Sequence, residues 1–170
     1  MIKNTLIIFS KNRAMQLDLL LNSLYINSKN VYNSIIVLYK VDEGHSVSYE
    51  TLKKQHEDIV FFEEKNFKDD LIDIIENSLS HLITFMVDDD IMYGKHSLSE
   101  TQIILEVIKD NGYNCFSLRL GLNCNYSHPA NLHYKVVNQE KITDDIFSIN
   151  LREQQMGDFN YPISLDGHIF

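Results

Sequence analysis

The sequence has no tryptophan and only two cysteines, two prolines and six glycines among its 170 residues. Cys115 and Cys124 form no C-x-x-C pattern and are too few for a disulfide framework, which favours a reducing, cytoplasmic setting. The scarcity of proline and glycine leaves no linker, internal repeat or low-complexity tract. We find neither a signal-peptide pattern nor an apolar run long enough for a transmembrane helix. A single cytoplasmic domain is therefore expected.

Positive charge is also scarce, since 15 Lys and Arg residues face 24 Asp and Glu residues and the formal net charge is -9. This excess of negative charge disfavours nucleic acid or an anionic membrane as the main partner. The hydrophobic content of 44% is ordinary for a globular protein that buries a core. An acidic chain that binds phosphates needs local help, either from a metal ion or from a few well-placed cationic side chains.

Strand-like apolar runs alternate with helix-like segments, and this pattern is typical of α/β proteins with parallel sheets. Strands are predicted at 6–9, 35–39, 59–62, 82–87 and 115–118, and the final segment 163–170 also alternates like a strand. Helices are predicted at 14–25, 49–56, 67–79 and 98–111, the last of them with a capping box at Ser97 and Glu100 and a stop at Gly112. The expected fold is one α/β, Rossmann-like domain with a mostly parallel central sheet flanked by helices.

Three consecutive aspartates, Asp88, Asp89 and Asp90, directly follow the apolar run 82–87 and are the most informative motif. Neighbouring carboxylates disfavour one another's ionised forms, and a bound cation is the simplest partner that would compensate for this repulsion. Hard oxygen ligands at i and i+2 suit Mg²⁺ or Mn²⁺, which usually also bind water and substrate phosphates. A solvated acidic turn is the alternative that the pattern alone leaves open.

A second polar cluster, Ser10-Lys11-Asn12-Arg13, follows the first predicted strand. Ligands of open α/β sheets bind outside the carboxyl ends of the strands. Opposite charges at two such strand ends would suit a metal-bound diphosphate. For Lys11 or Arg13 taken singly, a solvated loop is an equally good interpretation.

Several competing motifs are missing from the sequence. It has no G-x-G-x-x-G turn, Walker loop, nucleophile elbow or H-E-x-x-H pattern. The aspartate run is not an EF-hand, because the twelfth position counted from Asp88 is Ser99 instead of Glu.

Three segments, 6–13, 84–90 and 164–170, resemble in order and spacing the GT-A class of glycosyltransferases, most closely its family-2-like members. They are similar to its nucleotide-binding opening, its D-x-D metal motif and its late acceptor-side segment. The resemblance implies a GT-A fold with a nucleotide- and metal-binding half, 1–95, and an acceptor-side half, 96–170. The chain is short for this class, so it is either a fragment of a longer protein or a minimal version.

Carried over to this sequence, the resemblance implies that Asp88 and Asp90 contact the donor ribose and the metal, with Asp90 the direct ligand. His168 is implied as a further ligand, with a hydrogen-bonded strand histidine as the alternative. Asp166 is the implied general base for the acceptor, and Asp158 is its rival. The residues implied to hold the nucleotide and its diphosphate are Lys11, Asn12, Arg13, Tyr39, Asn66, Asp88 and Arg119. Strand packing is the alternative for Tyr39, a helix cap for Asn66, and a carboxylate partner for Arg119.

The implied reaction is transfer of a sugar from a nucleotide-diphosphate donor, UDP by default, to a glycan or other hydroxyl acceptor with inversion, aided by Mn²⁺ or Mg²⁺. The second strand ends in Tyr39-Lys40-Val41-Asp42 instead of the usual acidic pair, which leaves the nucleotide open. Two alternatives remain: a sugar-nucleotide nucleotidyltransferase, although the first turn has no glycine, and a non-catalytic nucleotide-sugar-binding module.

Overall fold

In the computed structural model, the described residues are 3–28, 30–119, 126–127, 131–133, 139–144, 146–150 and 167–170. Their strands are β1 (Asn4–Lys11), β2 (Ser34–Lys40), β3 (Val60–Glu63), β4 (Leu82–Val87), β5 (Phe116–Ser117), β6 (Tyr126–Ser127), β7 (Leu132–His133), β8 (Gln139–Lys141), β9 (Phe147–Ile149) and β10 (His168–Ile169). Their helices are α1 (Ala14–Asn27), α2 (Ser46–Gln55), α3 (Phe67–Glu76) and α4 (Leu98–Asn111), with a short 3-10 helix at Glu43–His45.

The described residues form two compact units, one up to Leu118 together with 167–170, the other from Arg119 to Asn150. The first unit contains a six-stranded sheet of order β3-β2-β1-β4-β10-β5. Strands β3, β2, β1 and β4 are parallel, and β10 pairs antiparallel with both β4 and β5. The predicted α/β class with a mostly parallel sheet is thus confirmed. The second unit has two antiparallel pairs, β6-β7 and β8-β9, and the predicted division at residue 95 stays a prediction.

Strand β1 lies between β2 and β4 and is covered on both faces, which explains its continuous apolar run. Leu6 and Ile8 face a core that includes α1 and α2. Ile7, which points the other way, packs with Phe85 of β4 and Ile74 of α3. The two core layers therefore hold β1 in place and fix the position of the turn that follows it.

Most predicted element ends agree with the structure, including the capping box of α4. The Ser97 hydroxyl accepts from the Glu100 N–H at 3.2 Å, while the Glu100 carboxylate accepts from the Ser97 N–H at 2.7 Å. Gly112 ends the helix in the left-handed region, with φ of 66°. Helix α2 starts three residues earlier than its apolar pattern indicates, because the 3-10 helix at Glu43–His45 leads directly into it. No helix among the described residues has both the length and the apolar character to cross a membrane.

The segment after the aspartate run is attached to the carboxyl end of α1. The Asn27 side chain donates to the Met92 carbonyl at 2.6 Å, and the Met92 N–H donates to the Ser23 hydroxyl at 3.0 Å. The His96 N–H donates to the Asn27 carbonyl at 2.7 Å, and its ring lies 2.8 Å from the Thr101 hydroxyl. These contacts hold residues 92–96, which follow the aspartate run, against the carboxyl end of α1.

We expect Leu20→Ala to destabilise the protein strongly, because Leu20 is fully buried between α1 and the sheet. Large-to-small core substitutions of this kind cost about 2–5 kcal/mol. Leu19→Ala is the matched control, since its neighbour Leu19 is 55% exposed and should change stability by less than about 0.5 kcal/mol. Thermal unfolding of both variants tests the assignment, and equal losses would contradict the burial of α1.

We also expect stability to fall under mildly acidic conditions because of His96. Burial lowers the pKa of His96 below its usual 6.5, with Glu100 acting in the opposite direction. The unfolded chain therefore takes up the proton first, so the native state loses stability as the pH falls below about 6.5 and until native His96 is itself protonated. The drop in melting temperature between pH 7.5 and 5.5 should be smaller in His96→Gln, and an unchanged drop would refute the assignment.

Candidate functional site

The carboxyl ends of β1 and β4 lie side by side, because Phe9 pairs with Val87 in the parallel register. The Asp88 N–H donates to the Phe9 carbonyl at 3.1 Å and continues the ladder one residue further. Residues 10–13, the last two of β1 and the two that lead into α1, are called the β1–α1 turn, and they therefore lie next to the start of the aspartate run. The two polar clusters that the sequence placed at strand ends do meet at one edge of the sheet.

Asp88 is the buried member of the aspartate run, with an exposed fraction of 4%. Its Oδ2 accepts from the Ser10 hydroxyl at 2.9 Å and from the Lys11 N–H at 3.3 Å, and its Oδ1 lies 3.4 Å from Arg13 Nη1. A buried carboxylate is costly unless hydrogen bonds compensate for lost hydration. The β1–α1 turn supplies these donors and so holds the carboxylate in place.

Arg13 lies between two carboxylates at the open side of this edge. Its Nη1 is 3.4 Å from Asp88 Oδ1 and 3.1 Å from Asp89 Oδ2. The Asp89 side chain is 57% exposed, so its pair with Arg13 faces solvent and contributes little stability. The important feature is geometric, since Asp88 and Asp89 converge on a single positively charged nitrogen.

Asp90 has a different orientation. Its Oδ2 accepts from the Val87 N–H at 3.0 Å, and its own N–H donates to the Val87 carbonyl at 3.0 Å. The Asp88 N–H points toward β1, so the Val87 N–H points to the opposite side of β4. The Asp90 carboxylate, which accepts from the Val87 N–H, therefore lies on that opposite side. The converging pair is therefore at i and i+1, whereas the D-x-D pattern suggested i and i+2. The role of Asp90 as a direct metal ligand stays a prediction.

His168 is buried in β10, where it pairs with Phe85 of β4 and Ser117 of β5. Phe85 precedes Asp88 by three residues, which corresponds to about 10 Å along a strand. The register thus places His168 within the sheet and away from its carboxyl edge. Within the described parts of the chain, no group of three or more His, Cys, Asp or Glu side chains could hold a metal ion, and the predicted metal role of His168 is untested.

The donor atoms of Asp88 and Asp89 nevertheless fit a hard divalent cation. Mg²⁺ and similar ions usually take only one or two protein carboxylates and complete their coordination with water and substrate phosphates. Asp88 Oδ1 and the exposed Asp89 carboxylate provide such a pair. The arrangement suits an ion that is shared with a phosphate-containing ligand better than one enclosed by protein.

Asn12 holds the β1–α1 turn to the end of β2. Its φ of 57° lies in the left-handed region, where asparagine is enriched among non-glycine residues. Its side-chain oxygen accepts from the Asp42 N–H at 2.9 Å, and its amide donates to the Asp42 carboxylate at 2.6 Å. The side chain that we predicted to bind nucleotide thus has a structural role in this turn, and its contact with nucleotide stays a prediction.

Tyr49 of α2 is a site residue that sequence reasoning missed. Its hydroxyl lies 2.6 Å from the Ser10 hydroxyl and accepts from the Arg13 N–H at 3.2 Å. Its ring stacks on Tyr39, with centroids 4.9 Å apart. The sequence indicated only that Tyr49 belongs to a helix, because the approach of α2 to the β1–α1 turn is a tertiary feature.

The remaining predicted residues lie in several environments. Tyr39 is in the core and donates to Glu63 at 3.3 Å, which agrees with strand packing. Asn66 caps α3 by accepting from the Asp69 N–H at 3.4 Å, which agrees with the helix cap given as the alternative to nucleotide binding. Lys11 is exposed beside Asp88, and Arg119 belongs to the second unit. Asp158 and Asp166 lie outside the described residues. The nucleotide and catalytic roles of these residues stay predictions.

Comparison with known proteins gives one informative similarity. No family model matches the chain. The bifunctional glycosyltransferase pgtA of Dictyostelium discoideum is 29% identical over an alignment of 136 residues, and the match covers 74% of this chain. The match takes in 17% of the length of pgtA, so the chain corresponds to a small part of that protein.

Asp88→Ala should destabilise the fold, because it leaves the buried Ser10 hydroxyl and the Lys11 N–H without their acceptor. Loss of a buried partner costs about 1–3 kcal/mol, which lowers the melting temperature by about 2–4 °C per kcal/mol in a chain of this size. The matched control is Asp89→Ala, which removes a neighbouring carboxylate at an exposed position. Thermal unfolding of the two variants measures the difference, and equal melting temperatures would rule out a structural role for Asp88.

Proposed function

We propose that this chain is the donor-binding part of a metal-dependent glycosyltransferase with a GT-A-like fold. It would move a sugar from a nucleotide-diphosphate sugar to an acceptor hydroxyl. The observation that carries the proposal is that Asp88 and Asp89 converge on the Arg13 guanidinium at the carboxyl ends of β1 and β4. That edge is where open α/β sheets bind their ligands. The similarity to pgtA supports glycosyl transfer as the reaction class.

The charge at this edge suits a diphosphate that binds together with a divalent ion. Asp88 and Asp89 would hold Mn²⁺ or Mg²⁺, and Asp90 is the further ligand that the D-x-D resemblance assigns. When bound, the ion would neutralise the negative charge that builds on the departing diphosphate. Asp88 serves this purpose because the β1–α1 turn keeps its Oδ1 directed toward the open edge.

Arg13 would change partners as the donor binds. Its ion pair with Asp89 is exposed on both sides, where such pairs contribute at most about 1 kcal/mol, and its contact with the buried Asp88 is long at 3.4 Å. A guanidinium binds phosphate oxygens through two parallel hydrogen bonds, and these charge-assisted bonds are strong. Arg13 would therefore leave the carboxylates to the incoming ion and donate to the diphosphate. Lys11, exposed at the same turn, would add positive charge there.

The acceptor side is assigned by resemblance. Asp166, with Asp158 as its rival, would accept the proton of the attacking hydroxyl in a single inverting displacement. UDP is the proposed nucleotide. The part of the chain from 96 to 170 would provide the acceptor surface.

The first test is thermal stability with a panel of nucleoside diphosphates, each with and without Mn²⁺. One nucleotide should stabilise the wild-type chain only when Mn²⁺ is present, by roughly 2.7 kcal/mol at a hundred times its dissociation constant. Asp88→Asn should lose this response because it removes a charged oxygen from the converging pair. Asp110→Asn, which removes an exposed carboxylate on α4, is the charge-matched control and should retain it.

A wild-type chain that responds to no nucleoside diphosphate would contradict the proposal, and a response independent of Mn²⁺ would contradict its metal dependence. Asp89→Asn and Asp90→Asn then test whether Asp89 or Asp90 is the second metal ligand beside Asp88. Only the variant that removes a ligand should abolish the effect of Mn²⁺. Stabilisation by a nucleoside triphosphate alone would favour a nucleotidyltransferase. Binding of the donor sugar nucleotide without its hydrolysis would favour a non-catalytic module.

A further inference from the structure

The Tyr49 hydroxyl is buried beneath the candidate site, although it touches neither of the converging carboxylates. The exposed fraction of Tyr49 is 1%. Its oxygen contacts the Ser10 hydroxyl at 2.6 Å and the Arg13 N–H at 3.2 Å. Both partners belong to the β1–α1 turn, and both also contact Asp88. One hydroxyl group of α2 therefore bonds to two residues that hold Asp88.

These hydrogen bonds have one consistent direction. Ser10 donates to Asp88 Oδ2 at 2.9 Å, which uses its only hydroxyl hydrogen. Tyr49 must then be the donor in its contact with Ser10, and its oxygen accepts from the Arg13 N–H. The chain of donors thus runs from the Arg13 backbone through Tyr49 and Ser10 to Asp88.

We propose that Tyr49 is a positioning residue of the donor site. Through Ser10 it keeps Asp88 Oδ2 bound inside the protein, so that Oδ1 stays directed to the edge where the cation and the diphosphate bind. Without the Tyr49 hydroxyl, the Ser10 oxygen loses its donor and the Arg13 N–H loses its acceptor, so both residues are held less firmly where they contact Asp88. This inference rests on the proposed function, because its effect is on ligand binding at the same site.

Core packing alone does not require the hydroxyl. A phenylalanine at position 49 would keep the stack on Tyr39 and fill the same volume. A buried hydroxyl is unfavourable unless it is hydrogen-bonded, and among the described residues the Tyr49 hydroxyl has its hydrogen-bond partners in the β1–α1 turn. Tyr49→Phe therefore removes the proposed role and preserves the packing.

The test compares dissociation constants, measured by calorimetry with Mn²⁺ present, for UDP or for the nucleoside diphosphate that stabilises the wild type. Tyr49→Phe should bind about two- to tenfold more weakly, which corresponds to one net hydrogen bond. Tyr25→Phe is the matched control, because it also removes a hydrogen-bonded tyrosine hydroxyl, in this case one that donates to the Asp58 carboxylate, and it should bind as the wild type does. Melting temperatures without ligand report separately on any purely structural effect.

A double-mutant cycle with Ser10→Ala tests whether Tyr49 acts through Ser10. We expect Ser10→Ala to weaken binding at least as much as Tyr49→Phe, and the double variant to bind about as well as Ser10→Ala alone. Wild-type affinity in Tyr49→Phe or in Ser10→Ala, or fully additive losses, would overturn the inference and leave the proposed function intact. A wild-type chain that binds no nucleoside diphosphate with Mn²⁺ would overturn both.

Discussion

The hydrogen-bonded burial of Asp88 is the interaction on which the geometry of the candidate site depends. A carboxylate that is 4% exposed needs compensating donors, and the β1–α1 turn provides them from Ser10 and Lys11. The turn can do so because β1 and β4 are parallel neighbours whose carboxyl ends lie side by side. It is itself held from two sides, by Asp42 after β2 and by Tyr49 of α2. The position of one oxygen thus depends on four separate parts of the chain.

The site combines this internal order with weak interactions at its surface. Asp88 Oδ1 and Asp89 share Arg13, whose side chain is half-exposed, and the pair with the exposed Asp89 adds little stability. The site thus supplies positive charge locally in a chain whose net charge is -9. In the proposed function, the buried bonds preorganise the carboxylate, and the exposed ion pair is the part that changes when ligand binds.

Several residues that the sequence marked as candidate ligands have structural partners. Asn12 bonds to Asp42, Asn66 caps α3, and Tyr39 packs in the core. The reason is chemical, since the side chains that bind ligands are also those that cap helices and hold turns. Sequence reasoning could place these residues at strand ends, but the choice between the two uses depends on which partners come within hydrogen-bond distance.

Local patterns in the sequence were sufficient for the order of the main elements up to β5, for the mostly parallel sheet and for the meeting of residues 10–13 with the aspartate run, whereas strands β6 to β9 were not predicted. Apolar periodicity and caps act over a few residues, and parallel strands necessarily bring their carboxyl ends to one edge. Only the tertiary structure decided that Asp88 and Asp89 converge while Asp90 turns back to Val87, and that Tyr49 reaches Ser10. These outcomes depend on the directions of single side chains and on the approach of α2, which long-range packing sets and no local spacing encodes.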